Sequence, residues 1–524
     1  MDVEETLQTG ASTMAGSKKW IALAVLALPT LLVSMDTTVV YLALPLISAA
    51  LKPGSSQQLW ITDIYGFMEA GLLITMGTLG DRIGRRKLLL IGAVAFAIAS
   101  AISAFSKDAG LLIAARGLLG VAGSTLLPST LSMVRNMFHN EAQRTFAIGL
   151  WTTCFSTGTM LGPLVGGFLL SHFWWGSVFL MGVPVMVLFL ILGPLLLPEF
   201  KDPGKSSLDL RSVLLLIISI LPVVFGIKQI AEYGMAFIFV LPVIIGLALG
   251  VVFFRRQMKL AEPLIDLNLF RIPRFGIAMT TLPVCLFMWA GIFVFVGQYL
   301  QLVIGLSPFK AGLWTLPAAV FSTVMCMCAA LLAKAIRKNV LIVGGLVTMA
   351  IGLALLTRIN NNLPVFLIAT VLLSAGCGLV VTLSTDMVMT SAPPDKAGTA
   401  AGVSETNTTL GASFGIALLG SIGMAVYRNS MAGITVNGIG QKTLSIAQTT
   451  LGAAVKVSDQ LHNQAGRRLA DLAQAAFIQS FRVTAGIAAI FILIIAVVVA
   501  ILFSRLKRRG LNHQLANAQA PSKL

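Results

Sequence analysis

Fourteen times along its length the chain passes through an apolar run long enough to cross a bilayer, and this repetition leaves it few folds. The runs lie at roughly 20–50, 57–80, 87–106, 111–134, 142–170, 176–197, 208–229, 234–255, 276–304, 308–334, 339–357, 363–388, 397–427 and 477–504. About 20 apolar residues in a helix span the hydrocarbon core. The expected class is therefore an all-α membrane protein with 14 transmembrane helices. Composition agrees: of 524 residues, 57% are hydrophobic and 11% charged, whereas a soluble domain carries about a quarter charged. The residues ahead of Trp20 include Asp2, Glu4 and Glu5 and lack the basic start of a signal peptide, so the first run reads as a retained helix.

A net charge of +17 could suggest nucleic-acid binding, but its distribution argues otherwise. Arg82, Arg85, Arg86 and Lys87 lie between runs two and three, and Arg255, Arg256, Lys259, Arg271 and Arg274 between eight and nine. Lys334, Arg337 and Lys338 follow run ten, and Arg505, Lys507, Arg508 and Arg509 follow run fourteen. The opposite loops carry single basic residues: Lys52, Lys107, Lys228, Lys310 and Arg358. Such alternation places the basic loops and both termini in the cytoplasm. The five cysteines, Cys154, Cys285, Cys326, Cys328 and Cys377, all fall in apolar runs with no metal-type or disulfide spacing. They read as packing residues, and neither a metal nor a cofactor is expected. No G-x-x-x-x-G-K-S/T loop is present, which argues against an ATP-driven pump.

The stretch Leu79-Gly80-Asp81-Arg82-Ile83-Gly84-Arg85-Arg86-Lys87 after run two has a degenerate echo after run ten, in Leu332-Ala333-Lys334-Ala335-Ile336-Arg337-Lys338. Transporters built from repeats show such symmetry. The offset is eight helices, where two abutting six-helix halves would give six. The expected layout is a tail at 1–19, a six-helix bundle at 20–200, a linker with two inserted helices at 201–260, a second bundle at 261–504 and a basic tail at 505–524. The segment 428–476 is an outer loop whose Leu461, Leu469, Leu472 and Ala475 suggest an amphipathic helix leading into the last span, or a lid over the outer mouth.

Five acids fall within apolar runs: Asp36, Asp63, Glu69, Asp386 and Glu405. A carboxylate at the centre of a bilayer costs roughly 2.5–3.5 kcal/mol, so such acids usually serve an ion or substrate path. Burial favours the neutral form of a carboxyl group, while the ionised form attracts a lipophilic cation. One site can thus exchange protons for a cation. Asp36, in the middle of run one, is the leading candidate. Asp63 lies near the outer end of run two and reads equally as a solvated interfacial acid. Glu69 is deeper and about 120° round the helix from it. Asp386, near the inner end of run twelve, reads as a cap or salt bridge. Arg116 is the one basic residue well inside a run and must pair with an acid or with carbonyls. Trp60, Tyr65, Trp151, Phe155, Trp289 and Trp314 could stack on a cation, although aromatics, like Met288, Met325 and Met327, are common packing in membranes. In run five, Gly158, Gly162 and Gly166 form one smooth stripe for close helix contact, and Pro163 bends the helix beside Gly167.

These stretches carry a resemblance. The loop with Gly77, Gly80, Asp81, Arg82, Gly84, Arg85 and Arg86 resembles the signature between helices two and three of the major facilitator superfamily. Met35-Asp36-Thr37-Thr38-Val39-Val40 with Ala43-Leu44-Pro45 resembles the first-helix motif of its fourteen-helix drug:proton antiporters. Gly158-Thr159-Met160-Leu161-Gly162-Pro163-Leu164-Val165-Gly166-Gly167 is similar to that group's fifth-helix motif, and Leu59-Trp60-Ile61-Thr62-Asp63-Ile64-Tyr65 to the second helix of its multidrug members.

The resemblance covers about Trp20 to Arg505 and implies the major facilitator fold, two six-helix bundles plus two inserted helices. It implies a proton-coupled exporter of lipophilic, cationic drugs, dyes and antiseptics, acting as a monomer in the inner membrane. Asp36, Arg116 and Glu405 would couple protons, and Asp36, Asp63 and Glu405 would bind substrate; Tyr65, Trp151 and Phe155, which could stack on a cation, and Glu69, which no family motif demands, are substrate-binding candidates from the residues themselves. The fifth-helix motif would seal the halves on the outer side. An exporter of one metabolite is the alternative within the fold, and a non-transporting sensor the alternative outside it. Run ten lacks the further acids of some relatives, and Thr409 stands a turn after Glu405, which argues against selectivity for divalent cations.

Overall fold

The computed structural model describes residues 16–138, 140–200, 209–260, 263, 271–360, 362–391, 397–436, 439–461 and 463–519. Among them, each of the fourteen apolar runs is helical: α1 Gly16–Leu51, α2 Ser55–Ile83, α3 Arg85–Ala104, α4 Ala109–Met137, α5 Glu141–His172, α6 Gly182–Leu196, α7 Leu210–Tyr233, α8 Phe237–Gln257, α9 Pro273–Gln298, α10 Pro308–Ala335, α11 Lys338–Leu356, α12 Leu363–Ser391, α13 Ala397–Met431 and α14 Gln464–Gln519. Twelve stretches among the described residues are long and apolar enough to cross a membrane. The two runs outside that set are α2, of 29 residues, and α5, of 32.

Local chemistry sets the helix ends. Asp108 accepts the Leu111 amide at the start of α4, and Asn140 accepts that of Gln143 at the start of α5, satisfying amides a helix start leaves open. Gly84, between α2 and α3, has φ +109°, a region that favours glycine. Within the spans, Thr and Ser hydroxyls bond back to carbonyls three or four residues earlier, as Thr30 does to Leu26 and Thr37 to Ser34. Polar side chains so satisfied need no water.

The chain divides into two compact units. Unit 1 takes in the chain up to Pro222 with Ile245–Phe253 and Gly305–Leu313. There α1 packs on α5, α2 on α4, α3 on α4 and α6, and α1 also on α4 and α6. Unit 2 holds Val223–Ile244, Phe254–Ile304 and the chain from Trp314 on. Its α9 packs on α13, α11 on α12 and α14, and α9 also on α12 and α14. Five of the six pairs of unit 1 recur here advanced by eight helices, the offset of the sequence echo. Burial marks which helices are internal: 72% of the most apolar window of α1 is buried, against 11% for α8.

Two expectations need correction. Lys228 is no loop residue: α7 continues to Tyr233, and Lys228 is 1% exposed within it. The stretch between α13 and α14 is helical at Gln441–Ala447 and Leu451–Leu461. On α14, however, the buried face is Leu469, Ala473, Ala476 and Phe477, while Ala475 is exposed. This face follows the helix pairing of Leu451–Leu461 on α14. The hairpin is tied down by Tyr427 Oη donating to the Ala447 carbonyl (3.2 Å), Gln448 Nε2 to Met431 (3.0 Å) and Gln474 Nε2 to Leu302 (2.8 Å).

Candidate functional site

In unit 1 the helix pairing brings α1, α2 and α4 together around one buried cation. Asp36 is 3% exposed and Arg116 1%. Arg116 Nη1 donates to Asp36 Oδ2 at 2.5 Å, and its Nε donates to the Ile61 carbonyl of α2 at 3.3 Å. The guanidinium carbon lies 4.8 Å from the centroid of the Tyr65 ring and 5.7 Å from that of Phe179, in the short helix Ser177–Leu180. Arg116 is thus paired, hydrogen-bonded and stacked, as a charge held away from water requires.

The glycines of α4 create this arrangement. Gly120 and Gly123 fall on the face that carries Arg116. A Cβ on Gly120 would strike the Tyr65 carbonyl, and one on Gly123 would lie 2.6 Å from Tyr65 Oη and 3.3 Å from Glu69 Oε1. Only bare backbone lets α2 sit this close. Tyr65 (2% exposed) and Glu69 (4%) fill the space, with Tyr65 Oη donating to Glu69 Oε1 at 3.3 Å. Asp63 is wholly buried rather than solvated at the membrane interface, near Tyr41 of α1.

The glycine stripe of α5 abuts the Asp36 turn. A Cβ on Gly158 would meet the Leu31 carbonyl at 2.5 Å, and one on Gly162 would meet the Met35 carbonyl at 3.0 Å; Gly166 faces Val39. Thr38 Oγ1 bridges to the Thr159 carbonyl at 3.2 Å. Gly167 instead faces Pro308 and Phe309, and the Pro163 carbonyl faces Gly312, in the first turns of α10 that group with unit 1. Trp151 and Phe155 stack with centroids 6.3 Å apart, and the indole donates to Thr130 Oγ1 of α4 at 3.2 Å. They form a cluster anchored on α4.

The signature loop has a partner that sequence reasoning missed. Glu199, just after α6, accepts the Arg86 amide at 3.0 Å and sits 3.6 Å from Arg86 Nε. Arg86 Nη1 reaches the Leu197 carbonyl (3.0 Å), and the Arg85 amide donates to Phe200 (3.0 Å). Glu199 therefore caps α3, and a Cβ on Gly84 would lie 2.6 Å from its Oε1. The signal available in the sequence was an acid directly following an apolar run whose neighbour loop is basic. Gly77 faces Pro128 and Gly80 faces Leu88, while Arg82 is exposed. The Asp81 side chain lies outside the described residues.

In unit 2, Glu405 is exposed on α13 although Val403, Ser404 and Thr406 around it are buried. Two residues on, Asn407 Nδ2 donates to the Met279 carbonyl of α9 at 2.6 Å. That asparagine borders an apolar groove of about 280 Å³ formed with Pro283, Phe287, Gly411 and Phe491. Glu405 is not among the groove's residues. Asp386 pairs with Lys338 at an exposed position, the structural role its place near the helix end suggested.

The Major Facilitator Superfamily profile matches residues 26–416. The chain is similar to the multidrug efflux pump LfrA of Mycolicibacterium smegmatis, 42% identical over 95% of this chain and 99% of that protein. It is 33% identical to the methyl viologen resistance protein SmvA of Salmonella typhimurium, over 92% of this chain and 97% of that one. Among solved structures it resembles a bacterial homolog of the human lysosomal transporter Spinster in its inward-facing form, with TM-score 0.65 at 14% identity, covering 94% and 98% of the two chains.

Proposed function

Since the chain belongs to the Major Facilitator Superfamily, and is therefore a multi-pass membrane transporter rather than an enzyme, we propose that it exports lipophilic cationic drugs, dyes and antiseptics in exchange for protons. The observation that carries this reading is the buried Asp36–Arg116 pair. An acid held by one cation inside a span changes its partner when it takes up a proton. Neutralising Asp36 frees the guanidinium from α1 and so loosens a contact between α1 and α4. Proton entry then becomes a change in helix packing, as alternating access demands. The names of the relatives support the substrate class: multidrug efflux in one, and in the other resistance to methyl viologen.

The different settings of the two acids support a division of labour. Asp36, locked to Arg116, serves the proton, while the exposed Glu405 is available to a cation. Asp63, Trp151 and Phe155 line the substrate path in this reading. The α5 glycines, seated on the Asp36 turn, transmit its movement. The bundles at 20–200 and 261–504 rock as bodies, with 201–260 inserted between them in sequence. The protein works as a monomer in the inner membrane with both termini cytoplasmic, and the distribution of basic loops supports that orientation.

The test is ethidium efflux from energised cells, comparing wild type, Asp36→Asn and Glu405→Gln, with and without a protonophore. Efflux is expected to stop with the protonophore and to fall on the order of tenfold or more with Asp36→Asn. A folded wild type that moves no dye sinks multidrug export. Efflux indifferent to both substitutions sinks the site assignment.

A further inference from the structure

We infer that Glu69 is a second proton-exchanging acid of unit 1, joined to the Asp36–Arg116 pair through Tyr65, so that two carboxyl groups share one guanidinium. The inference rests on the proton-coupled reading above and adds to it a group and a count.

Four side chains on three helices form a continuous line. Asp36 holds Arg116 Nη1 at 2.5 Å, the guanidinium lies over the Tyr65 ring at 4.8 Å, and Tyr65 Oη donates to Glu69 Oε1 at 3.3 Å. All four are at most 4% exposed. The niche is built for them, because Gly123 lacks a side chain where Tyr65 Oη and Glu69 Oε1 meet. A tyrosine in this position conveys charge in both directions. Its ring face binds the cation, and its hydroxyl is a better donor to a carboxylate when a cation polarises the ring.

Arg116 meets both arms of this line, Asp36 through Nη1 and the Tyr65 ring through its guanidinium face. On α1 the titratable groups facing this site are Asp36 and Tyr41, and on α2 itself they are Asp63 and Tyr65. The basic residues of α3 (Arg85, Arg86, Lys87) are confined to its first turn. Helix α7 meets α2 through Ile217 at Gly71, and its basic residues are Arg211, at its start, and Lys228. Two acids that draw on one cation titrate as a pair, not singly. A proton arriving at Asp36 releases guanidinium charge towards Tyr65 and Glu69, and a proton arriving at Glu69 releases it towards Asp36. Over a cycle each carboxyl binds one proton from the outer side and gives it up to the cytoplasm, with no other bond made or broken.

The experiment is proton release on adding ethidium to the purified, full-length protein in weakly buffered detergent, read with a pH indicator beside ethidium fluorescence as the binding control. Wild type is expected to release more protons per bound ethidium than Glu69→Gln, by one. Asp36→Asn is expected to lose one as well. Tyr65→Phe, which keeps the ring on Arg116, is expected to keep the proton count and move the pH midpoint of release. Gly123→Ala, which pushes Tyr65 Oη off Glu69, should do the same. Should Glu69→Gln bind ethidium and release as many protons as wild type while Asp36→Asn loses one, the second acid is refuted and the coupled-exchange reading stands. No release from wild type refutes that reading itself. If Glu69→Gln fails to fold, an unmoved midpoint in both Tyr65→Phe and Gly123→Ala refutes the link.

Discussion

Neutralising one member of the Asp36–Arg116 pair should cost at least as much as neutralising both. The Nη1–Oδ2 distance of 2.5 Å puts the two charge centres about 4 Å apart, and at an effective dielectric near 20 their attraction is about 4 kcal/mol. Arg116→Gln leaves a carboxylate and Asp36→Asn a guanidinium, each buried without its counter-charge, a class of change that costs about 3–5 kcal/mol. In Asp36→Asn the guanidinium still has the Ile61 carbonyl and the Tyr65 ring, so this single should lie at the lower end. The double variant Asp36→Asn/Arg116→Gln buries two amides of suitable size to bond each other. It should be no worse than the milder single, giving a coupling energy at least as large as the cost of the harsher single, about 3–5 kcal/mol, in a double-mutant cycle. Denaturation midpoints of the four detergent-purified proteins are the assay, with efflux measured in parallel. Shifts that simply add would refute the pair as an energetic unit. Efflux separates stability from mechanism: the double variant should regain its fold and still move no ethidium.

Helix contact and the signature loop give two further tests. Gly158→Val should drive α5 off the Leu31 carbonyl and lower both the denaturation midpoint and efflux, costing about 1–3 kcal/mol; Gly344→Ala on α11, where a Cβ meets nothing within 4 Å, is the control and should be neutral or stabilising. Glu199→Ala should cost about 1 kcal/mol through the lost cap of α3 and speed amide exchange at Arg86, and unchanged exchange there would contradict the cap.

The chain shows how unevenly a membrane sequence reports its own structure. Helix positions were legible because a span must be apolar over its whole length, and the eight-helix offset of a degraded loop echo reappears in five of the six helix pairs of unit 1. The Asp36–Arg116 pair was legible in kind, since a guanidinium inside a span must find an acid or carbonyls; which acid it takes depends on the pairing of α1 with α4, about which local pattern is silent. Glu69 was placed away from Asp63 by helical phase, yet both are buried, because α2 is enclosed on more than one side and phase tells outside from inside only for a helix with one dry face. Lys228 misled for a related reason, as hydropathy ends a run at the first charge while the helix continues another turn. Glu199 escaped notice because its work is to meet a backbone amide more than a hundred residues away.

The repeated packing also sharpens the difference between the units. The tie between α1 and α4 in unit 1 is an ion pair, whereas the corresponding pair in unit 2, α9 and α12, is joined by a neutral bond from Trp289 Nε1 to Ser374 Oγ at 3.2 Å. Nearby, Cys285 of α9 meets Met349 and the Cys377 carbonyl through sulfur, again without charge. A contact of this kind is indifferent to a proton, so among the described residues the α9–α12 tie is no counterpart of the switch proposed at Asp36. Trp289 stacks on Phe293 with centroids 4.3 Å apart, and Trp289→Phe removes the N–H while keeping an aromatic ring in place. The loss should be about 1 kcal/mol, visible as a severalfold change in ethidium affinity at most, with the protons released per ethidium unchanged. A changed proton count in Trp289→Phe would mean that the neutral tie takes part in coupling, and the assignment of proton exchange at the paired position to unit 1 alone would have to be given up.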